Sequence, residues 1–174
     1  TGGSKGIGFG IAQVLLQKGI HVAITSRSLE SAQKAANKLS VFAADSAKVL
    51  ALKADVRDYQ QQQDAVKATE SSLGSIDIVI ANAGLGVFGS IEDITIEGWN
   101  QVIETNLTGV FYTLKSTLSS LKNTKGYYIT ISSLAGTNFF AGGTAYNASK
   151  FGVTGFTQAA MLDLRTHGIK VSTI

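Results

Sequence analysis

Short apolar segments alternate with longer segments of helical spacing along the whole chain. The short segments are rich in Val, Ile and Tyr, as buried strands of a parallel sheet are, and they span 21–25, 48–54, 76–81, 126–132 and 169–174. Helical periodicity fills the intervals, at 6–19, 28–39, 57–74, 97–121 and 144–167. Ser28 is placed as a helix N-cap and Gly19 as a helix C-cap. This alternation predicts an α/β fold with a doubly wound parallel sheet, Rossmann-like, in three α/β/α layers.

Composition narrows the class of protein. The 174 residues are 44% hydrophobic and 16% charged, which fits a single domain over 1–174 with a substantial core. The chain has no cysteine, so disulfides and thiolate metal sites are excluded and a cytoplasmic location fits best. The apolar segments are far shorter than the roughly 18 residues of a membrane span, so we expect no membrane partner.

Charge and histidine content exclude further classes. The net charge of +3 comes from 12 Lys and 3 Arg against 12 acids, and the basic residues are scattered rather than clustered, which argues against nucleic acid as a partner. His21 and His167 have no companion ligands nearby in sequence, so we predict no metal site. Neither is placed to activate Ser132 or Ser133, which argues against a hydrolytic triad.

The glycine-rich stretch TGGSKGIG at 1–8 precedes the first helix. Gly2, Gly6 and Gly8 leave room for tight turns and for a pyrophosphate, while Ser4 and Lys5 add a hydroxyl and a positive charge beside Ile7. The spacing differs from the common G-x-G-x-x-G pattern, so an ordinary glycine turn is the alternative.

The residues after segment 21–25 bear on the choice of dinucleotide. An acid there binds the ribose 2′-OH of NAD, whereas an arginine accommodates the 2′-phosphate of NADP. Thr25 and Ser26 are not acidic, Arg27 follows them, and Lys5 can approach the same phosphate. The sequence therefore favours NADP(H), the alternative being that Arg27 only ends a strand in solvent.

Tyr146 and Lys150 are one helical turn apart, so they share a face. Ser133 lies near the end of the preceding strand segment and Asn106 lies in the helix before it. A tyrosine is a poor base at neutral pH, and a neighbouring ammonium favours its phenolate form. A serine hydroxyl can stabilise negative charge that develops on a carbonyl oxygen.

Five motifs in register resemble the short-chain dehydrogenase/reductase family over essentially the whole chain. They are TGGSKGIG, NAG at 82–84, Asn106 in TNLTGVF, Ser133 in SSLAG, and YNASK. The resemblance, which extends to NADP-dependent members such as 3-oxoacyl-[acyl-carrier-protein] reductases, implies a catalytic tetrad of Asn106, Ser133, Tyr146 and Lys150. It implies that Asp55 and Val56 lie by the adenine, that Asn82, Ala83 and Gly84 flank the cofactor, that Lys150 reaches the nicotinamide ribose, and that Asn106 holds a water linking Lys150 to solvent.

The implied function is hydride transfer between NADP(H) and a carbonyl or alcohol substrate, with Tyr146 as proton donor and acceptor. A cofactor-binding regulator that lost the chemistry is the alternative, although it has no reason to keep all four residues. A 3-oxoacyl thioester, a small ketone and a sugar remain open as substrates. Relatives pair through two long helices, and the apolar segment 151–164 therefore predicts a homodimer or homotetramer.

Several local expectations follow. Phe139 and Phe140 line a substrate mouth or pack in the interior, and Trp99 is predicted to be in the core. Ala141-Gly142 stands where relatives often carry Pro-Gly.

Relatives also have a strand before the glycine loop and a segment after 174, so we expect a natural protein that is longer at both ends and a 174-residue piece that is unstable and inactive alone. We expect 21–25 and 76–80 to be about two strand spacings apart, not paired with each other.

Overall fold

A computed structural model describes residues 1–44 and 46–174. Five strands, here β1 to β5, correspond to the five predicted segments, and their bounds are Val22–Ser26, Val49–Lys53, Ile78–Ala81, Tyr127–Thr130 and Lys170–Thr173. The α-helices, α1 to α6, span Gly6–Gln17, Leu29–Ser40, Tyr59–Leu73, Ile96–Ile103, Gly109–Thr124 and Thr144–Leu164. A π-helical turn at Glu104–Thr108 joins α4 to α5, and short 3-10 turns lie at Leu134–Gly136 and Arg165–His167.

All the ladders between these strands are parallel. β1 pairs with β2, whereas β4 lies between β3 and β5 in a second sheet. Parallel strands that are connected through helices require those helices to cover the faces of the sheets. The result is a three-layer α/β/α arrangement, as predicted, in which the carboxyl ends of all five strands lie on one side.

No ladder joins β1 to β3 within the part of the chain that the structure describes, as the sequence predicted. Residues 1–3 lie between the two strands at their carboxyl ends. The backbone nitrogen of Thr1 donates to the carbonyl oxygen of Ile80 at 2.7 Å, and the Gly3 N–H donates to that of Thr25 at 3.1 Å. A largely apolar cleft of about 300 Å³ separates β1 from β3. The glycine-rich segment therefore contacts both sheets where their strands end.

Each sheet has its own hydrophobic cluster. The cluster on the β1–β2 side contains Leu16 of α1 and Leu39 of α2, both fully buried. The other contains Tyr128 of β4 together with Leu121 of α5 and Val153 of α6. Apolar residues at helical spacing on α1, α2, α5 and α6 thus bury one stripe of each helix against a strand.

The predicted N-cap at Ser28 is confirmed, whereas the C-cap of α1 is Lys18 and Gly19, with φ of 77°, follows it. The Ser28 hydroxyl accepts from the Ser31 N–H at 3.2 Å, and the Asp58 carboxylate accepts from the Gln61 N–H at 3.0 Å. Gly74, with φ of 89°, ends α3. Such caps satisfy N–H groups that have no partner inside a helix.

Two expectations about 97–121 need correction. The single predicted helix is interrupted by the π-helical turn at Glu104–Thr108, because one extra residue within a regular apolar repeat leaves no clear mark in the sequence. Trp99 is not in the core, since 37% of its surface is exposed. It lies on α4, whose buried face is formed by Gly98 and Val102.

Candidate active site

The glycine loop is shaped around the start of α1. Gly2 and Gly6 have φ of 63° and 57°, a conformation that glycine adopts without steric cost. Gly8 has no space for a side chain, because a Cβ atom there would lie 2.5 Å from the Asn82 amide nitrogen and 2.6 Å from the Gly2 carbonyl oxygen. Lys5 occupies the N-cap position and makes no side-chain cap, so the N–H groups of the first turn of α1 stay available to a ligand.

Hydrogen bonds fasten this loop to the segment that follows β3. The Thr1 hydroxyl oxygen accepts from the N–H groups of Asn82 and Ala83, at 3.1 and 3.0 Å. In return the Asn82 amide donates to the carbonyl oxygens of Thr1 and Gly2, at 2.9 and 3.3 Å. The two glycine-containing motifs, about 80 residues apart in sequence, are therefore bound directly to each other.

The Asn106 side chain binds the backbone of Leu85, which follows residues 82–84. It is 1% exposed and lies in the π-helical turn. Its side-chain oxygen accepts from the Leu85 N–H at 2.9 Å, and its amide donates to the Leu85 carbonyl oxygen at 2.8 Å and to the Ser149 hydroxyl oxygen at 3.0 Å. Ser149 donates in turn to the carbonyl oxygen of Tyr146 at 2.8 Å. Asn106 thus connects the loop after β3 to the turn of α6 that carries Tyr146.

Tyr146 and Lys150 share one face of α6, as their spacing predicted. The Lys150 ammonium lies 5.7 Å from the centroid of the Tyr146 ring and donates to the Ile131 carbonyl oxygen at 2.9 Å. Lys150 is only 6% exposed, and burial lowers the pKa of its ammonium. One of its three N–H bonds is used by Ile131, which leaves two for other partners.

A cavity of about 440 Å³ brings most of the predicted residues together at the carboxyl ends of the strands. The predicted residues in its lining are Gly2, Lys5, Gly6, Ile7, Asn82, Ala83, Gly84, Tyr146 and Lys150. Residues from the start of α1, the end of β3 and the first turns of α6 therefore face one space.

The remaining predicted residues do not line this cavity. Ser133 caps the 3-10 turn at Leu134–Gly136, where its hydroxyl oxygen accepts from the Ala135 N–H at 3.1 Å, which leaves the hydroxyl proton free to be donated. Ser4 lies beside the end of β1, with its hydroxyl 3.4 Å from that of Ser26. Val56 is buried against Gly109, where an added Cβ would lie 2.7 Å from a Val56 methyl group.

Arg27 and Asp55 lie at the carboxyl ends of β1 and β2. Arg27 is exposed and joins no ion pair among the described residues. The Asp55 carboxylate binds Arg57, and its shortest contact to that guanidinium is 2.7 Å. This pairing with Arg57 holds the pKa of Asp55 below its usual value, and the charge of Arg27 adds to the effect.

Comparison with known proteins identifies the family. The sequence matches the family model described as short chain dehydrogenase over residues 1–174. The chain belongs to the short-chain dehydrogenase family. It is 36% identical to a glycine betaine reductase of Emericella nidulans and 34% identical to a trans-4-hydroxycyclohexanecarboxylate dehydrogenase of Sinomonas cyclohexanicum, in both cases over 100% of this chain. It spans 14% of the length of the first and 68% of the second.

Solved structures agree with the family assignment. The alcohol dehydrogenase of the archaeon Thermococcus sibiricus, complexed with 5-hydroxy-NADP, has a TM-score of 0.92 and is 29% identical to this chain. The match covers 99% of this chain and 72% of that one. The fold of this family member is therefore the Rossmann-like fold that its sequence predicted.

Some residues of the cavity escaped the sequence analysis. They are Leu85, Gly86, Phe88, Ile131 and Ser132, and they belong to the same two loops as the predicted residues. Their positions just after β3 and β4 were a usable signal, since ligands of such sheets bind at the carboxyl ends of strands. The pairing of Arg57 with Asp55 was also missed, although the two residues are only two positions apart.

Residues 1–44 and 46–174 hold neither a metal-ligand cluster nor a membrane-spanning helix. No group of three or more His, Asp or Glu side chains is placed to hold a metal ion in that part of the chain. The His21 Nδ1 accepts from the Lys48 N–H at 3.1 Å, and His167 is exposed in a 3-10 turn. No helix among the described residues is long and apolar enough to cross a membrane.

Proposed function

We propose that this short-chain dehydrogenase transfers a hydride between NADP(H) and a carbonyl or secondary alcohol, with Tyr146 as the proton donor and acceptor. The observation that carries the proposal is the single cavity that the glycine loop, residues 82–84 and the Tyr146–Lys150 pair enclose. Such a cavity combines an anion-binding helix terminus with a proton-transfer pair, and hydride transfer from a dinucleotide needs both.

The residues of the glycine loop fit a dinucleotide. The close approach of Gly8 to Asn82, the positive φ of Gly2 and Gly6, and the uncapped first turn of α1 provide N–H groups without side chains in the way. Gly2, Ser4, Lys5, Gly6, Ile7 and Gly8 would hold the phosphates, Asp55 and Val56 the adenine, and Asn82, Ala83 and Gly84 the remainder. When bound, the nicotinamide supplies or accepts the hydride.

The preference for NADP(H) rests on charge at the ends of β1 and β2. Arg27 is exposed at the end of β1, Lys53 ends β2 opposite Ser26, and Lys5 is exposed at the start of α1. Asp55 is the nearby acid, and Arg57 already neutralises it at 2.7 Å. Arg27 and Lys53, beside an Asp55 carboxylate that is already paired, favour a 2′-phosphate over a 2′-hydroxyl.

Carbonyl reduction requires a hydride at carbon and a proton at oxygen. Tyr146 gives its hydroxyl proton to the oxygen and is left as a phenolate, which the neighbouring Lys150 ammonium stabilises. Ser133 donates its free hydroxyl proton to the same oxygen as negative charge develops. Asn106 positions Leu85 and Ser149, and the family resemblance implies that it also holds a water that links Lys150 to solvent. Alcohol oxidation runs through the same steps in reverse.

The relatives support this proposal, because their names describe a reductase, a hydroxy-acid dehydrogenase and an alcohol dehydrogenase with an NADP derivative. A regulator of the same fold without chemistry is the alternative, and it leaves the burial of Lys150 beside Tyr146 without a purpose. We also propose a cytoplasmic enzyme, in keeping with a sequence that has no cysteine.

The change Tyr146→Phe tests the reaction directly. Phenylalanine keeps the ring and removes the hydroxyl, so we expect turnover with NADPH to fall by about 10²-fold or more while NADPH affinity stays within about threefold. Steady-state kinetics with a ketone panel measures turnover, and fluorescence titration measures NADPH affinity.

Tyr127→Phe is the matched control. Its hydroxyl hydrogen-bonds Ser172 at 2.7 Å between β4 and β5, outside the cavity, so turnover should be unchanged. Wild-type turnover in Tyr146→Phe would contradict the mechanism. NADPH binding by the unmodified protein without reduction of any ketone would instead favour the regulator.

A further inference from the structure

Three aromatic rings form a continuous wall at the mouth of the cavity. The ring centroids of Phe88 and Tyr146 are 5.6 Å apart, and those of Phe88 and Phe140 are 6.1 Å apart. Phe88 itself lines the cavity beside Tyr146. A molecule whose carbonyl oxygen reaches the Tyr146 hydroxyl therefore has aromatic surface next to it.

The wall is exposed although it is apolar. Phe88 is 63% exposed and Phe140 is 47% exposed. Exposed aromatic surface grouped in a concave site gains free energy when an apolar partner covers it. The two rings thus provide binding surface that the fold of the described residues does not use.

Backbone contacts fix the positions of these rings. The Gly89 N–H donates to the Gly142 carbonyl oxygen at 2.9 Å, which ties the loop of Phe88 to the loop of Phe140. Gly86 and Gly143 lie directly under the rings, since a Cβ atom at either would come within 2.5 Å of Phe88 or Phe140. The loops that carry the wall are therefore joined through their backbones, and the rings pack on Gly86 and Gly143.

Charge is missing from the segments that form the wall. Residues 78–91 and 133–149 contain no Asp, Glu, Lys, Arg or His. Lys150 is buried and bonded to Ile131, and Lys5 lies at the glycine-loop end of the cavity. An ionic or polyhydroxylated group placed against Phe88 and Phe140 would lose water without gaining a charged partner from these segments.

We propose that the substrate is an uncharged ketone, or the matching secondary alcohol, that carries an apolar ring next to the reacting carbon. The ring packs on Phe88 and Phe140, while the oxygen lies at Tyr146. This inference rests on the proposed function, and it predicts that an apolar ring ketone is preferred over a polyhydroxylated one. Aromatic faces favour flat ring partners in offset or tilted geometry, as the three side chains already show among themselves.

The experiment compares three ketones with NADPH: acetophenone, butanone and dihydroxyacetone. We expect kcat/KM for acetophenone to exceed that for dihydroxyacetone by at least about tenfold. In Phe88→Ala the acetophenone-to-butanone ratio of kcat/KM should fall about tenfold, because only the ring ketone loses its stacking partner. Phe88→Leu keeps an apolar side chain without a ring, so its acetophenone-to-butanone ratio should lie between those of Phe88→Ala and the unmodified protein.

The control is Phe42→Ala, which removes a 37% exposed phenylalanine that follows α2. Its ratio should equal that of the unmodified protein. If ketones are reduced but the ratio in Phe88→Ala is unchanged, or if dihydroxyacetone is preferred, this inference is wrong and the proposed function stands. If no ketone is reduced, the proposed function fails and this inference fails with it.

Discussion

Replacing Asn106 with alanine should lower the free energy of unfolding more than replacing an asparagine that makes one hydrogen bond. The side chain makes three hydrogen bonds, two to the backbone of Leu85 and one to Ser149. It is 1% exposed, and its two bonds to Leu85 are partly buried. Alanine removes all three bonds at once and leaves both backbone groups of Leu85 without their partner.

The magnitude follows from those unpaired groups. A buried donor or acceptor that loses its partner costs about 1–3 kcal/mol, so the N–H and C=O of Leu85 together cost about 2–6 kcal/mol. A water that enters the space left by the amide recovers part of this cost. We therefore expect a loss of about 3 kcal/mol in the free energy of unfolding. That is a large share of the roughly 5–15 kcal/mol by which a typical domain is stable.

Urea unfolding measures the effect, with Asn147→Ala as the matched control. The Asn147 amide makes one hydrogen bond, to the Phe140 carbonyl oxygen at 3.0 Å near the surface, so its loss should cost about 1 kcal/mol. With an m-value of about 2 kcal/mol per molar urea, the midpoint should move by about 1.5 M for Asn106→Ala and about 0.5 M for the control. Equal midpoints for the two variants would refute the role given to Asn106 as the anchor of the loop after β3.

Two further predictions concern the cofactor and the assembly. Arg27→Asp should lower the ratio of kcat/KM for NADPH to that for NADH by about tenfold or more. Arg165→Asp, at another exposed arginine, is the charge-matched control. An unchanged ratio in Arg27→Asp would make Arg27 a surface residue only. The exposed rings of Phe111 on α5 and Phe151 on α6, at 44% and 43%, lead us to expect a homodimer or homotetramer at micromolar concentration, and a monomer in light scattering would contradict that.

Local patterns were sufficient to predict most elements of this fold. β1 to β5 lie within two residues of the predicted segments, because buried parallel strands are continuous apolar runs. Ser28 and Asp58 begin helices with side-chain caps, which depend only on residues three positions away. The Tyr146–Lys150 face depends only on one helical turn. These features are local, so a single sequence contains them.

What escaped prediction depends on contacts between distant parts of the chain. The bonds of Asn106 to Leu85 join residues 21 apart, and the contact of Phe88 with Tyr146 joins residues 58 apart. Nothing in either local sequence specifies these partners. The prediction for Trp99 was wrong in another way. Trp99 was expected in the core, whereas α4 is oriented so that Gly98 and Val102 are buried and Trp99 is exposed.

The candidate site divides its tasks between the two sheets. Arg27, Lys53 and Asp55 follow or end β1 and β2, so the charges that we propose to favour NADP over NAD belong to one sheet. Tyr146 and Lys150 lie on the helix that leads into β5, so the proposed proton-transfer pair belongs to the other sheet. The glycine-rich segment bonds to Thr25 of one sheet and Ile80 of the other, and it therefore connects the two halves of the proposed site. Gly8 has no room for a side chain, because a Cβ atom there would clash with Asn82. A side chain at this position would shift the loop against Asn82 and would thereby move the two halves of the site relative to each other.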